Sequence, residues 1–389
     1  MINGIIGDFA EAYDDYVRYA TLFTDEFILA GTFPTRLEVD DRRILAINGS
    51  LNAEVYEPLS TARFSADTGV VNFTAVQSDP DFADLTDVLT EGIAVGRLFG
   101  GYSRVLLSEL YCQSAVAGGV FLTSDDRMQD ALDLLIQAEA AGNDAGISDL
   151  TNAAIVGQAR ANLWLGNNAA AAAAARRVPA GFEFVLDYSE NDPVQFNEVH
   201  SLTWGRGRQV IRWTVGDGTE AARANERFAY FDEWVTLGLI DPNPPSSFSS
   251  FNSAISVQLQ LLYDDGLAPI VLASKAEADL IEAEVALRAS DFGTANTLVN
   301  NLRSTNWSLP AIDFAAMTSL EARLTQLAQE RSRELWLTGQ RQGTLRRLRA
   351  NDGINLYPSN SSASFDQTCF PVPQQEVDNN TNSVLFPNL

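Results

Sequence analysis

The chain has 389 residues, 46% apolar and 20% charged, which is enough apolar matter for a large core and excludes wholesale disorder. Its 26 basic residues face 51 acidic ones, a net charge of −25, so phosphate backbones and anionic lipid are repelled and nucleic acid is excluded as a partner. With one histidine, His200, and two cysteines, Cys112 and Cys369, a multi-histidine metal site, a zinc finger and an iron–sulfur cluster are excluded as well.

The first predicted helix runs from about Gly7 to Tyr19, with Phe9, Tyr13, Tyr16 and Val17 at helical spacing. Residues 31–45 mix Gly, Pro and alternating charge and read as a loop. A long apolar-periodic helix follows between Thr86 and Cys112. Its Gly100-Gly101 pair costs helix stability, and close packing against a neighbour is the expected compensation. Thr123-Ser124-Asp125-Asp126 caps a helix over Arg127–Ala141, which ends at Gly142-Asn143. Another helix covers Leu150–Leu165, and Gly166-Asn167-Asn168 separates it from an alanine helix over Ala169–Ala175.

From about Gly181 to Pro269 the chain changes character. Aromatic residues stand among many Gly, Pro, Ser and Asn, and Asp241-Pro242-Asn243-Pro244-Pro245 is loop. The runs Gly207–Val215 and Ala268–Leu272 read as short strands. Loops this long in a compact domain usually serve binding. Helical pattern returns at Ser274, which forms a capping box with Glu277. Ser290-Asp291-Phe292-Gly293 turns the chain into a partner helix carrying Ala295, Leu298, Val299 and Leu302. The last long helix covers Leu320–Trp336, Leu345–Leu348 adds a short turn, and the tail from Asn351 is extended.

Ala159–Ala169 and Ala283–Gly293 repeat one device: a small-residue helix, a short polar turn and a second small-residue helix. That is the unit of tetratricopeptide-like hairpins, here dispersed in a larger helical domain instead of arrayed in tandem. The reading is an all-α single domain with minor strands. Its scaffold spans about 5–180 and 274–350, its loop-rich aromatic insert about 181–273, and its tail 351–389.

The residue pattern leaves the two cysteines open between one disulfide and two buried thiols. No stretch is apolar for the roughly 18–20 residues of a membrane helix, and the N-terminus lacks a basic region followed by an apolar run. Walker, Rossmann and G-x-S-x-G patterns are absent, as is the alternating oxygen-ligand run of a calcium loop. Neither a cofactor nor a resident metal is expected. The paired acids Asp14-Asp15, Asp40-Asp41, Asp125-Asp126 and Asp264-Asp265 read mostly as caps and solvated faces.

Glu330-Arg331-Ser332-Arg333-Glu334-Leu335-Trp336-Leu337-Thr338-Gly339-Gln340-Arg341 resembles the "ER-x-x-EL-x-x-EG-x-R" helix of the SusD/RagB family. Leu345-Arg346-Arg347-Leu348 sits where that family has "DLxR", and Cys369–Asn382 is similar to its closing "fPIPxxEixxNPN". Lys275–Arg303 and Ala153–Val178 resemble its two hairpins, and Asp25-Glu26 its "DE" after the first helix. The resemblance spans about residues 5–382.

It implies a non-enzymatic outer-membrane lipoprotein of the cell surface that binds a glycan or peptide and delivers it to a SusC-like TonB-dependent transporter. The family's signal peptide and lipidated cysteine are not in this sequence. The implied membrane link is therefore a lipid anchor lying outside it, and the chain as given is expected to be soluble. Export to the surface also favours a Cys112–Cys369 disulfide, which would pin the tail to the long helix for about 4–5 kcal/mol in the chain-entropy account.

Aromatic faces are natural platforms for the C–H faces of sugar rings. The candidates are Tyr188, Trp204, Trp213, Phe248, Phe251 and Trp307, while Trp164, Trp234 and Trp336 lie in helical periodicity and read as core. His200, whose neighbour Glu198 is at the wrong spacing to be assumed a catalytic partner, reads as an ordinary surface or polar-pocket residue. The rival readings are a helical glycoside hydrolase, which needs two opposed carboxylates, and a tetratricopeptide-type peptide-binding adaptor.

Overall fold

The computed structural model describes residues 1–191, 195–205, 209–211, 236–241, 259–357 and 367–382. Helix α1, Ile2–Phe23, is longer than its periodicity predicts. It buries Phe9, Tyr13, Tyr16, Tyr19 and Phe23 completely, so it is an interior helix covered on most sides. Residues 31–45 are not all loop: Pro34 starts a short helix α2, Pro34–Asp40, where its fixed φ and missing N–H suit the first helical position.

After α3, Glu57–Gln77, the chain builds antiparallel hairpins from α4, Thr86–Leu110, α5, Ser124–Asp144, α6, Ser148–Trp164, and α7, Asn168–Ala175. Thr123 caps α5 by accepting from the Asp126 N–H. The glycine pair of α4 has the packing role its cost demands. A Cβ on Gly101 would stand 2.8 Å from Leu135 Cγ of α5, so only glycine lets these helices approach. Ala171, Ala172, Ala174 and Ala175 give α7 a buried face of methyl groups.

The second hairpin joins α8, Lys275–Arg288, to α9, Phe292–Asn306, through Ser290 in the left-handed region and an Asp291 cap. Ser274 accepts from the Glu277 N–H as the capping box requires, but the Glu277 carboxylate does not fold back. It reaches α6, where Arg160 Nε and Nη2 donate to its two oxygens at 2.6 and 2.8 Å, with both side chains buried. That fork-to-fork pair ties one hairpin to the other.

α10, Leu320–Glu334, brings Glu330 to Arg303 of α9 at 2.6 Å. The expected short turn at Leu345–Leu348 is instead the centre of a full helix, α11, Arg341–Asp352, which ends at Gly353 with φ +70°. Its Arg347 donates to Glu284 of α8, with Nη2 to Oε2 at 2.6 Å. Burial opposes ionisation of Glu284, yet Arg347, Arg331 and Arg288 together hold its pKa at about 2. The tail likewise is not wholly extended, because Gln374–Asn379 forms a short helix, α12.

The strands are brief antiparallel pairs: Phe27–Leu29 with Gln209–Ile211, Gln113–Ser114 with Leu122–Thr123, Glu183–Leu186 with Ile270–Ser274, and Ile240–Asp241 with Leu259–Gln260. The architecture is all-α with minor strands. Cys112 and Cys369 form a disulfide with Cα atoms 5.2 Å apart, across 257 residues of sequence. Beside it the tail adds a bridge: Phe370 N–H donates to Leu110 O at 2.8 Å, and Cys112 N–H to Phe370 O at 3.0 Å. Among the described residues no helix is long and apolar enough to cross a membrane.

Candidate functional site

The aromatic insert rests on α1 through a short helical turn, Glu198–His200, followed by a wider π-type turn, Ser201–Gly205. Asn197 builds this corner with both ends of its side chain. Its Oδ1 accepts from His200 N–H at 3.0 Å, capping the turn, and its Nδ2 donates to Ala268 O at 2.8 Å. Asp14 of α1 accepts the Glu198 N–H at 2.8 Å, which docks the corner on the interior helix. Burial first, then the charge of Asp15, raises the Asp14 carboxyl well above the ordinary carboxylate range. Asp14 is thus no solvated-face acid.

The helical spacing of Phe196, His200 and Trp204 lines up three rings. The His200 imidazole stacks on Trp204, with centroids 6.2 Å apart and 13° between planes, and Phe196 meets His200 edge-on at 5.7 Å. Trp204 Nε1 donates to Gln260 O at 2.9 Å, which fixes the indole plane. His200 Nδ1 lies 3.0 Å from Tyr263 O, so the neutral imidazole carries its proton on Nδ1. Gln260, fully buried, donates from Nε2 to Tyr263 O at 2.8 Å and accepts Tyr263 N–H at 2.7 Å. Phe196 packs over Gly266, where a Cβ would fall 2.0 Å from the ring. All three rings are half-buried, and Trp204 is an anchored indole with part of its surface left accessible.

The other candidates do not join this row. Tyr188 is 9% exposed, donates to Ala10 O at 3.2 Å and belongs to the core, so it offers no open platform. Trp307 is half-buried at the end of α9, where Nε1 donates to Glu334 of α10 beside a small cavity walled by Leu280, Val299 and Leu302. It wedges α9 against α10. Trp213, Phe248 and Phe251 lie outside the described residues, as does Trp234. Trp336 is core at 3% exposure, but Trp164 is only half-buried and turns its Nε1–H to Asp125 Oδ1 at 2.8 Å. The sequence reading missed Phe196, Asn197, Gln260 and the stacking role of His200; the four-residue spacing Phe196-His200-Trp204 was the available signal.

Around this corner Arg18 of α1 reaches Asp15 and Glu54 at 2.8 Å and Glu198 at 3.5 Å. Tyr19 donates to Glu54 as well, and Arg36 Nη2 does so at 2.8 Å. These acids are engaged by arginine and tyrosine, which is a structural arrangement and not a pair of carboxylates facing across a cleft. Among the described residues no three His, Cys, Asp or Glu groups are placed to hold a metal ion.

Comparison with known proteins adds the decisive observation. No protein-family model matches the sequence, and no curated protein does. Solved structures match over nearly the whole chain. A SusD superfamily protein from Bacteroides thetaiotaomicron aligns with TM-score 0.68 and 16% identity, covering 98% of this chain and 96% of its own. The chain has the SusD-like fold. A SusD-like protein from Bacteroides fragilis aligns over 100% of this chain and 96% of its own, with TM-score 0.70 and 11% identity. A SusD-like carbohydrate-binding protein from the same organism aligns over 94% and 92%, with TM-score 0.63 and 13% identity. At such identities the likeness is one of fold. In this chain the SusD-like hairpins carry the Asn197 corner and its Trp204–His200 stack on their interior helix.

Proposed function

We propose that the chain is a non-catalytic glycan-binding protein of the cell surface, which captures an oligosaccharide and passes it to a TonB-dependent outer-membrane transporter. The observation that carries this reading is the near-complete overlay on SusD-like folds, one of them named as carbohydrate-binding. The Trp204–His200 stack supplies the local chemistry: an indole fixed by its Nε1–H, with accessible ring surface for the apolar face of a sugar. Trp213, Phe248 and Phe251 would extend that platform within the insert of a single domain. A lipid anchor outside this sequence would hold the protein at the outer membrane, and hand-over would follow closure against the transporter.

The test is a glycan panel assayed for both binding and hydrolysis. Binding without cleavage supports the proposal, and Trp204→Ala should weaken the best neutral ligand at least tenfold while the far-ultraviolet circular dichroism stays native. Released reducing ends would make the protein a hydrolase. Inertness towards every sugar, with binding to an oligopeptide library, would overturn the glycan reading.

A further inference from the structure

A cleft of about 430 Å³ opens far from the insert in sequence, between the start of α5, the end of α6 and the last turns of α11. Trp164, Ser124, Arg346, Arg349 and Asn351 line it, with the Cys112–Cys369 disulfide on one side. A second hollow of about 280 Å³ continues beyond Trp164 and shares Asp125, Trp164, Arg347 and Asn351 with the first. In a chain of net charge −25, arginines gathered on one cleft are a departure that asks for a cause.

Two of the arginines there are neutralised locally. Arg347 is held by Glu284, and Arg288 by Glu284 and Asp352. Arg346 differs. Its Nη1 donates to Ser108 O at 2.7 Å and Tyr111 O at 2.9 Å, and its Nη2 to Ser124 Oγ at 2.7 Å. These partners are neutral, and among the described residues no carboxylate lies within ion-pair distance of Arg346, so Asp125 and Glu109 offset its charge only from further away. Burial lowers its pKa to about 10. The carbonyls at the end of α4 supply only the partial negative charge of a helix C-terminus. The desolvation of Arg346 outweighs the attraction of those distant carboxylates, and a cleft beside it admits a direct counter-ion from solution.

The ring beside Arg346 narrows the ligand class. The guanidinium lies 5.5 Å from the Trp164 ring centre, and Asp125 fixes the indole through Nε1. An oriented, half-buried indole next to a guanidinium that has no carboxylate in direct contact suits a pyranose that carries one, with exposed Asn351 offering amide hydrogen bonds to its hydroxyls. We propose that this cleft is a second ligand site, which takes a uronic acid residue of an acidic oligosaccharide: the carboxylate pairs with Arg346 and the sugar face lies on Trp164. The choice of a saccharide rests on the glycan-binding reading above; the demand for an anion rests on Arg346.

The experiment is isothermal titration of the full chain with galacturonic acid trisaccharide and with the neutral galactose trisaccharide, at low and at 0.3 M NaCl. Trigalacturonate should bind, at least tenfold more tightly than the neutral trisaccharide, and more weakly at high salt. Asn351→Asp places a carboxylate on the rim without touching the core and should weaken trigalacturonate at least tenfold, as should Trp164→Ala, whereas Trp204→Ala should leave it unchanged. Arg346→Gln should abolish it; where that variant fails to fold, Asn351→Asp decides. Absence of trigalacturonate binding, indifference to Asn351→Asp and Trp164→Ala, or loss on Trp204→Ala would each overturn the cleft. Neutral glycan binding that survives such a result leaves the insert reading standing, and acidic binding in the cleft with no neutral ligand found does the reverse.

Discussion

Around α6 and α8 the hairpins are joined side chain to side chain through buried charge, with Arg160 on Glu277 and the Arg347–Glu284–Arg288 group beyond it. Around Asn197 the insert corner is held mainly through its backbone: Glu198 N–H to Asp14, Asn197 N–H to Gly266 O, and a side-chain amide to Ala268 O. The first kind of joint fixes one helix against another with bidentate geometry and penalises any alternative pairing. The second fixes a path for the chain, with Trp204 held through its Nε1–H on Gln260 O and part of its ring surface accessible. On the proposed glycan-binding reading, a scaffold of one sort carrying a corner of the other separates stability from recognition.

The largest expected break in that comparison is on the scaffold side. Arg160→Met leaves the Glu277 carboxylate buried with, among the described residues, only the Gln340 amide, 3.2 Å away, as a hydrogen-bond partner. The expected loss is about 3–5 kcal/mol by urea denaturation, because a buried charge is stranded. Arg160→Met with Glu277→Leu should recover most of it. A double variant as unstable as the single would mean that the pair contributes more than relief of its own burial.

Next comes the disulfide. Cys112→Ser with Cys369→Ser opens a closure of 257 residues. It should cost about 2–5 kcal/mol, read as a lowered denaturation midpoint under non-reducing conditions. Glycan binding at the insert should survive at temperatures where the variant remains folded. Loss of that binding in a folded variant would join the two regions that the comparison separates.

These two joints also mark what the sequence could say. Helix periodicity, the Thr123 and Ser274 caps and the polar turns are local signals, and they placed both hairpins within a few residues. Glu277 shows the limit: three residues from Ser274 it looks like the closing half of a capping box, yet its carboxylate belongs to an arginine 117 residues away. α11 was underread for a similar reason. It buries Gln342, Thr344 and Arg347 along with Leu345 and Leu348, so its inner face looks polar until its partners on other elements are known. Tyr188 is buried and Trp164 half-buried, the reverse of what their loop and helix settings suggest, because the count of aromatic residues in a loop or a helix does not tell which ring meets a neighbour. Phe196, His200 and Trp204 were legible in principle through their spacing, but only as a helix face, and the structure makes that segment two short turns.

The smallest expected effect tests the joint between the two regions, through pH. Asp15 is raised from 3.8 to about 7, chiefly by burial; Arg18 opposes the shift, and Glu54, Glu198 and Glu11 reinforce it. Asp14 next to it is raised as well. A raised carboxyl means that the folded chain keeps a proton which the unfolded chain releases near 3.8. The associated stability is therefore complete below that pH and is lost as pH rises through about 7. The urea midpoint should fall between pH 5 and pH 8, and amide exchange at Glu198–His200 should quicken over the same range. Asp15→Asn removes one of the two titrating groups and should flatten the slope, leaving the remainder to Asp14. A variant with the wild-type slope would move the proton elsewhere and remove Asp15 from the account of how the insert corner is docked.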